Sequence, residues 1–267
     1  MKKYETKIMG VLNANEDSFF KDSRFSYKEA NFKIEKMIED GAKIIDIGAV
    51  SSKPGSTAVD EKIELNRLKN IVNTIYKEKY FEKVDFSIDS YSPLVIDYVL
   101  NKGFKIVNDI TGLKNDEVCK VSAKYNAKVI IMHMQNNPSN MQEKPVYENV
   151  VSDIDQYFKK QIQKAKSFGI QDIALDVGIG FGKNLEHNLE LLNKLEYFKH
   201  FEYELLIGAS RKSMIDMITP CEIKDRLSGT LAIHLESVHR GASIIRCHDV
   251  YEHYQALKIQ EAINSIS

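Results

Sequence analysis

The sequence predicts an α/β fold in which eight parallel strands, each followed by a helix, close into one (β/α)8 barrel spanning residues 1–267. Three observations lead there. Eight short apolar runs recur along the chain, and each is nearly continuous rather than alternating, as strands covered on both faces should be. Longer segments with helical periodicity separate the runs. No linker, low-complexity stretch or shift in composition divides the chain, so one domain is the economical reading.

The elements follow in order. Lys7–Asn13 is the first strand run. Ala30, Ile34, Met37 and Ile38 recur at steps of one to four on a single helical face, and Gly41 supplies the residue that closes such a helix. Lys43–Gly48 and Val84–Asp89 are the next two runs. Gly103 ends a helix just before Lys105–Asp109, and Lys128–His133 is the fifth run. Val151, Ile154, Phe158, Ile162 and Ala165 form a clear amphipathic stripe, ended by Gly169 ahead of Asp172–Asp176. Glu204–Ser210 and Ser243–His248 complete the eight, with Gly241 closing the helix before the last. An open, doubly wound sheet is the alternative, but it usually needs fewer units.

Composition narrows the function. With 37 Lys and Arg against 38 Asp and Glu, the chain is nearly neutral, which argues against holding nucleic acid or anionic membrane by bulk charge. Cys119, Cys221 and Cys247 are widely spaced and match no metal or redox motif. An odd count suits a reducing compartment, so the cytoplasm is expected. The N-terminal apolar run Ile8–Leu12 is too short for a signal-peptide core, and no stretch approaches the roughly 18 apolar residues of a spanning helix.

The ends of the runs carry the chemistry. They present Asn13, Asp46 leading into Ser52-Lys53-Pro54-Gly55, Asp89, Asn108-Asp109, His133, Asp176, Ser210-Arg211-Lys212, and Arg246 with His248. A barrel gathers all of these on one face. Asp89, Asn108 and Asp176 offer acceptors and an amide suited to the edge of a flat nitrogen heterocycle such as an aminopyrimidinone. Lys53, Lys212, Arg246 and His248 suit a phosphorylated or diphosphorylated anion. A ligand with a heterocycle at one end and phosphates at the other satisfies both sets. Gly178 through Lys183 superficially resembles a phosphate loop, but Val177 and Asn184 break that pattern. A tight turn that lets backbone and Phe181 approach a ligand is the competing reading. The seven histidines have no zinc spacing, and His234 and His239 are expected on a helix surface or in packing.

Taken together, these segments resemble the dihydropteroate synthase family of pterin-binding barrels. The matching stretches are Ile8 through Asn13 with Asp17-Ser18-Phe19, Asp46-Ile47-Gly48 with Ser51 through Gly55, Ser87-Ile88-Asp89, Asn108-Asp109, Met132-His133-Met134, Asp176 through Lys183, Ser210 through Ser213, and Arg246 with His248-Asp249. The resemblance implies condensation of 6-hydroxymethyl-7,8-dihydropterin diphosphate with 4-aminobenzoate, giving 7,8-dihydropteroate and diphosphate in folate biosynthesis. It implies that Asp89, Asn108, Asp176 and Lys212 hold the pterin. Ser52, Lys53, Arg246 and His248 would hold the diphosphate, and Pro54, Phe181 and Ser213 the aminobenzoate. Asn13 would bind Mg2+ with the diphosphate, and Asp89, Lys212 and Lys53 would carry catalysis. A homodimer built from late helices is also implied.

Some positions depart from the family pattern. The first loop reads Ala14-Asn15-Glu16-Asp17, and Phe20 through Arg24 stand where relatives have a glycine pair, which is similar to the sulfonamide-insensitive branch. Ser52-Lys53 replaces the commoner Thr-Arg, and Val177 a proline. A methyltetrahydrofolate–corrinoid methyltransferase and a non-catalytic pterin-binding protein are the alternatives. The cations beside Pro54-Gly55 and around His248 argue against the methyltransferase, which needs no diphosphate clamp.

Overall fold

The computed structural model describes residues 5–14, 23–50, 59–136, 141 and 145–266. Within them, eight parallel strands run in chain order: β1 (Lys7–Asn13), β2 (Ile44–Gly48), β3 (Asp85–Asp89), β4 (Ile106–Asp109), β5 (Lys128–Met132), β6 (Ile173–Asp176), β7 (Glu204–Ile207) and β8 (Ile244–Cys247). Each pairs with the next, and β8 pairs back onto β1, which closes a (β/α)8 TIM barrel. The predicted runs match these strands to within one residue at each end, except the seventh. It stops at Ile207 rather than Ser210 because the chain turns there. The Lys212 N–H donates to the Ala209 carbonyl at 3.2 Å, and Arg211 adopts a left-handed φ of 56°.

Helices α1 (Ser23–Glu39), α2 (Glu61–Lys77), α3 (Pro93–Asn101), α4 (Asp116–Lys124), α5 (Val150–Ser167), α6 (Leu185–Asn193), α7 (Ser213–Ile218), α8 (Leu227–His239) and α9 (Val250–Asn264) form the outer layer. Capping follows local chemistry. The Asp60 side chain accepts from the first backbone N–H groups of α2, and Ser92, Asn115 and Asn149 do the same for α3, α4 and α5. Gly41 closes α1 with φ 100°, and a Cβ there would lie 2.4 Å from the Tyr254 ring, so both conformation and space require glycine. The stripe Val151, Ile154, Phe158, Ile162, Ala165 is buried against the strands, as its spacing predicts. Among the described residues, no helix is long and apolar enough to cross a membrane.

The barrel interior is layered, and the layers follow from the two-residue period of a strand. Met9, Ile44, Ile106, Ile130, Ala174, Leu206 and Ile244 form a separate apolar cluster. Two residues further along the strands stand Asp46, Asn108, Asp176 and Arg246. Two residues earlier stand Lys7, Lys128, Asp172 and Glu204. The apolar middle therefore separates two charged ends.

The lower end is an ion-pair network. Glu204, nearly fully buried, accepts from Lys7 Nζ at 2.9 Å and from Lys128, which also reaches Asp172 at 3.0 Å. Burial pushes the Glu204 carboxyl up, but the two ammonium groups outweigh it and hold the carboxyl below its ordinary value. Such a depressed carboxylate contributes stability above the ordinary carboxylate range and loses it as pH falls through the folded-state value. We expect Glu204→Gln to cost about 2–4 kcal/mol at neutral pH, because it removes the buried anion between Lys7 and Lys128 and leaves Lys128 only the exposed Asp172. Urea unfolding of both proteins at stepwise lower pH should show the gap closing. A gap that is absent, or independent of pH, would refute this role.

Candidate active site

The upper layer holds a chain of charge-assisted hydrogen bonds. Asp46 is fully buried, and its Oδ2 accepts from Asn108 Nδ2 at 3.0 Å and from Arg246 Nε at 2.7 Å. Arg246 Nη2 donates to Asp89 Oδ2 at 2.8 Å. Gly208, two residues beyond the inward-facing Leu206, lies beside the Arg246 stem, where a Cβ would make ordinary contact with Cβ and Cδ at 3.7 and 3.8 Å. Arg246 stays protonated, because Asp46 and Asp89 outweigh the cost of its burial. Burial pushes Asp89 up to about 7, with Arg246 opposing and Asp46, Glu64 and Asp109 adding to it. One guanidinium shared between two carboxylates compensates Asp89 only in part.

The β6 end is shaped by the glycine turn. Asp176 Oδ1 accepts the Gly178 N–H at 2.8 Å, and burial still raises its carboxyl above the usual range. Gly178 has φ 70°, and a Cβ there would sit 2.0 Å from the His133 carbonyl. Lys183 is buried under this turn. Its Nζ donates to the carbonyls of Phe181 (2.9 Å), Gly178 (3.0 Å) and His133 (3.2 Å), and lies 3.1 Å from His133 Nδ1. Burial lowers Lys183 to about 7. The turn reading of this segment therefore holds: Lys183 is committed to the loop's own carbonyls.

Lys212 and Phe181 meet across the mouth. Lys212 Nζ lies 4.0 Å from the Phe181 ring centre, a cation–π contact, and its stem passes Gly180 where a Cβ would approach within 3.1 Å. Burial lowers Lys212 to about 8, against the pull of Asp176. Phe181 also packs against the cluster of Ile110, Met132, Met134 and Met141.

His248 is exposed on the rim. Its Nδ1 lies 2.9 Å from Ser210 Oγ, which also accepts the His248 backbone N–H at 3.3 Å. Desolvation of its ring by neighbouring atoms, then the cations Arg246 and Arg211, lower His248 although the residue is exposed at the rim. Ser213 is exposed at the first turn of α7, and Asn13 is exposed at the end of β1.

The structure thus gathers Asp89, Asn108, Asp176, Lys212, Arg246 and Phe181 at one mouth. It divides the cations expected at the diphosphate: Arg246 turns inward onto Asp46 and Asp89, while His248 stays on the rim. Ser52, Lys53 and Pro54 lie outside the described residues, as do Asp17 and Phe19. Asp109, also at a strand end, is not a ligand group. Its carboxylate accepts from the Thr111 N–H and hydroxyl and from the Leu113 N–H, and so builds its own loop. Sequence reasoning noted Asp46 but assigned it no partner; its two-residue offset from Ile44 is the signal that it faces inward. Among the described residues, no group of three or more His, Cys, Asp or Glu could hold a metal. Asn13 offers one amide oxygen, which fits an Mg2+ ion held mainly by substrate phosphates and water rather than by an all-protein cage.

Comparison with known proteins agrees with this geometry. Residues 9–248 match the family model described as pterin binding enzyme. A bifunctional dihydropteroate synthase/dihydropteroate reductase of Helicobacter pylori is 42% identical over 96% of this chain and 68% of its own length. The dihydropteroate synthase of Clostridium difficile, solved in the presence of pteroic acid, is 37% identical with a TM-score of 0.89, covering 98% of this chain and 99% of that one. The Thermus thermophilus dihydropteroate synthase in complex with 4-aminobenzoate is 32% identical with a TM-score of 0.87, covering 97% and 95%. With the fold, the inward carboxylates and the family match in agreement, this chain belongs to the dihydropteroate synthase family of pterin-binding enzymes.

Proposed function

We propose that the chain, acting as one catalytic domain, condenses 6-hydroxymethyl-7,8-dihydropterin diphosphate with 4-aminobenzoate. The observation that carries this reading is the set of buried Asp46, Asn108 and Asp176 with half-buried Asp89 and Arg246, beside Lys212. Carboxylates and an amide held rigidly on strand ends suit the donor-rich edge of a pterin. Asp176 and Asp89 receive ring N–H groups, Asn108 meets the ring's carbonyl edge, and Lys212 donates to an acceptor nitrogen.

The chemistry follows from where charge goes. The C–O bond to the diphosphate breaks, and the leaving group takes the electron pair. The positive charge left on the methylene spreads into the pterin ring, and Asp89 and Asp176 stabilise it. The aminobenzoate nitrogen then forms the new C–N bond and gives up one proton. A neutral arylamine needs no strong base. His248, Ser52 and Lys53 hold the departing diphosphate, and Arg246 supplies positive charge from below. Phe181, Ser213 and Pro54 shape the aminobenzoate site. Mg2+, held on the diphosphate by Asn13, would supply further positive charge to the leaving group. The free thiols of Cys119, Cys221 and Cys247 fit a reducing cytoplasm.

A turnover assay tests the reaction. The protein supplied with both substrates and Mg2+ should form 7,8-dihydropteroate, and chelation should suppress the rate until Mg2+ is restored. No product from folded protein would remove the assignment. Undiminished turnover after chelation would remove the metal.

The pH dependence is specific. Lys212, lowered to about 8, is charged below that value and neutral above it. We expect kcat/KM for the pterin diphosphate to fall as pH rises through about 8. Lys212→Arg, always charged, should abolish that alkaline limb even while lowering the plateau. An unchanged limb would assign it to another group.

We also propose that the chain dimerises through late helices. Met217, Ile218 and Ile223 are exposed by more than half at the end of α7 and the following turn. Sedimentation should give about twice the 30.6 kDa chain mass. A monomer at micromolar concentration would exclude the dimer.

A further inference from the structure

Two buried histidines behind the mouth form a hydrogen-bond wire whose direction is fixed. The Ala209 N–H donates to His234 Nε2 at 3.0 Å, so that nitrogen is an acceptor and the His234 proton sits on Nδ1. His234 Nδ1 lies 2.8 Å from His253 Nε2, which must therefore accept. His253 then carries its proton on Nδ1, 2.6 Å from the Asp249 carbonyl. Both rings are almost fully buried, and burial keeps both neutral.

The wire closes into a ring. Asp249 continues through its carboxylate, which accepts from Arg211 Nε at 3.1 Å and Nη2 at 2.5 Å. Arg211 lies two residues beyond Ala209, where the path began. Thr230, one turn before His234 on α8, accepts the Arg211 N–H at 3.0 Å. Arg226 donates to the Arg211 carbonyl at 3.2 Å. Lys212 follows directly, and His248 directly precedes Asp249.

We propose that His234 and His253 are positioning residues that set the β7–α7 turn against the β8–α9 turn, and so fix Lys212 and His248 relative to each other. This rests on the assignment of those two residues to the pterin and its diphosphate. The two turns have no strand ladder between them beyond Ile207 and Ile245, where the last β7–β8 register pair lies. Among the described residues, the Ala209 backbone N–H has no hydrogen-bond partner other than the imidazole. An apolar residue at 234 leaves that amide unpaired and frees a turn with a left-handed Arg211. A glutamine can accept with Oε1 and donate with Nε2, and so can replace each imidazole in the wire.

The test has two arms. In protein carrying 15N-labelled histidine, NMR should show both His234 and His253 as neutral Nδ1–H tautomers. An Nε2–H tautomer at either would overturn the wire, whatever the activity. In the kinetic arm, His234→Leu and His253→Leu should raise KM for the pterin diphosphate by roughly tenfold, with kcat and the aminobenzoate KM changing far less. His234→Gln and His253→Gln should restore KM to within about twofold, a rescue that a purely space-filling role would not give. Folded leucine variants with unchanged KM, or glutamine variants as impaired as leucine, would overturn the positioning role. A wild-type chain without synthase activity would instead remove the functional reading on which it rests, leaving the tautomer result standing.

Discussion

The upper barrel depends on one cation. Asp46 and Asp89 face a water-poor interior, and an uncompensated carboxylate there would take up a proton or pull its strand outward. The Arg246 guanidinium, bonded to both, allows them to remain as acceptors. The bond from Asp46 to Asn108 then fixes which way that amide points. Asp46 Oδ2 accepts from both Arg246 and Asn108, so a residue with no direct claim on a ligand orients two that have one. The arrangement is costly: two desolvated carboxylates are retained for one arginine. A packed apolar layer would be cheaper, and its absence at this level marks a binding surface rather than a core.

That surface is positioned by repetition. Ile44 and Asp46, Ile106 and Asn108, Ala174 and Asp176, Ile244 and Arg246 are each two residues apart on their strands. Every pair places one side chain in the apolar middle and the next in the mouth. A one-residue slip in any strand would exchange its ligand group for an outward-facing apolar one. Packing of the middle layer therefore specifies the geometry above it. The Lys7–Glu204–Lys128 network stands at the other end, below the middle layer.

The fold was legible because its signals are local. Continuous apolar runs, helix stripes and closing glycines are all read within a few residues, and the strands emerged nearly to the residue. The seventh strand was overextended because Gly208-Ala209 looks like more strand. What stops it is a turn held by His234 and Thr230, some twenty residues away in sequence. The same distance hid the rest of the site. Asp89, Asn108, Asp176 and Lys212 could be named from their strand ends and the family motifs. That Arg246 turns inward, that Asp46 joins it to Asn108, and that His234 pairs with His253 are facts about side chains meeting across the fold. His234, read as a surface or packing residue, is buried as the second alternative allows but is also bonded at both nitrogens. No periodicity reports which atoms of a buried polar residue are satisfied.

The two lysines near Asp176 show how such bonding separates roles. Lys183 and Lys212 sit near the same carboxylate, and burial lowers both. From sequence, Lys183 is the more suggestive, since it ends a glycine-rich segment. Yet three carbonyls of its own turn and its neighbour already accept its protons. A ligand could recruit it only by dismantling the loop that shapes Asp176. Lys212 rests instead on the face of Phe181, a contact that holds charge without consuming a directed hydrogen bond. Its ammonium can turn toward an incoming acceptor while the aromatic face is retained. The lysine that can bind is thus the one whose protons are not already placed, and the glycine loop's lysine is the support that holds the other's neighbours still.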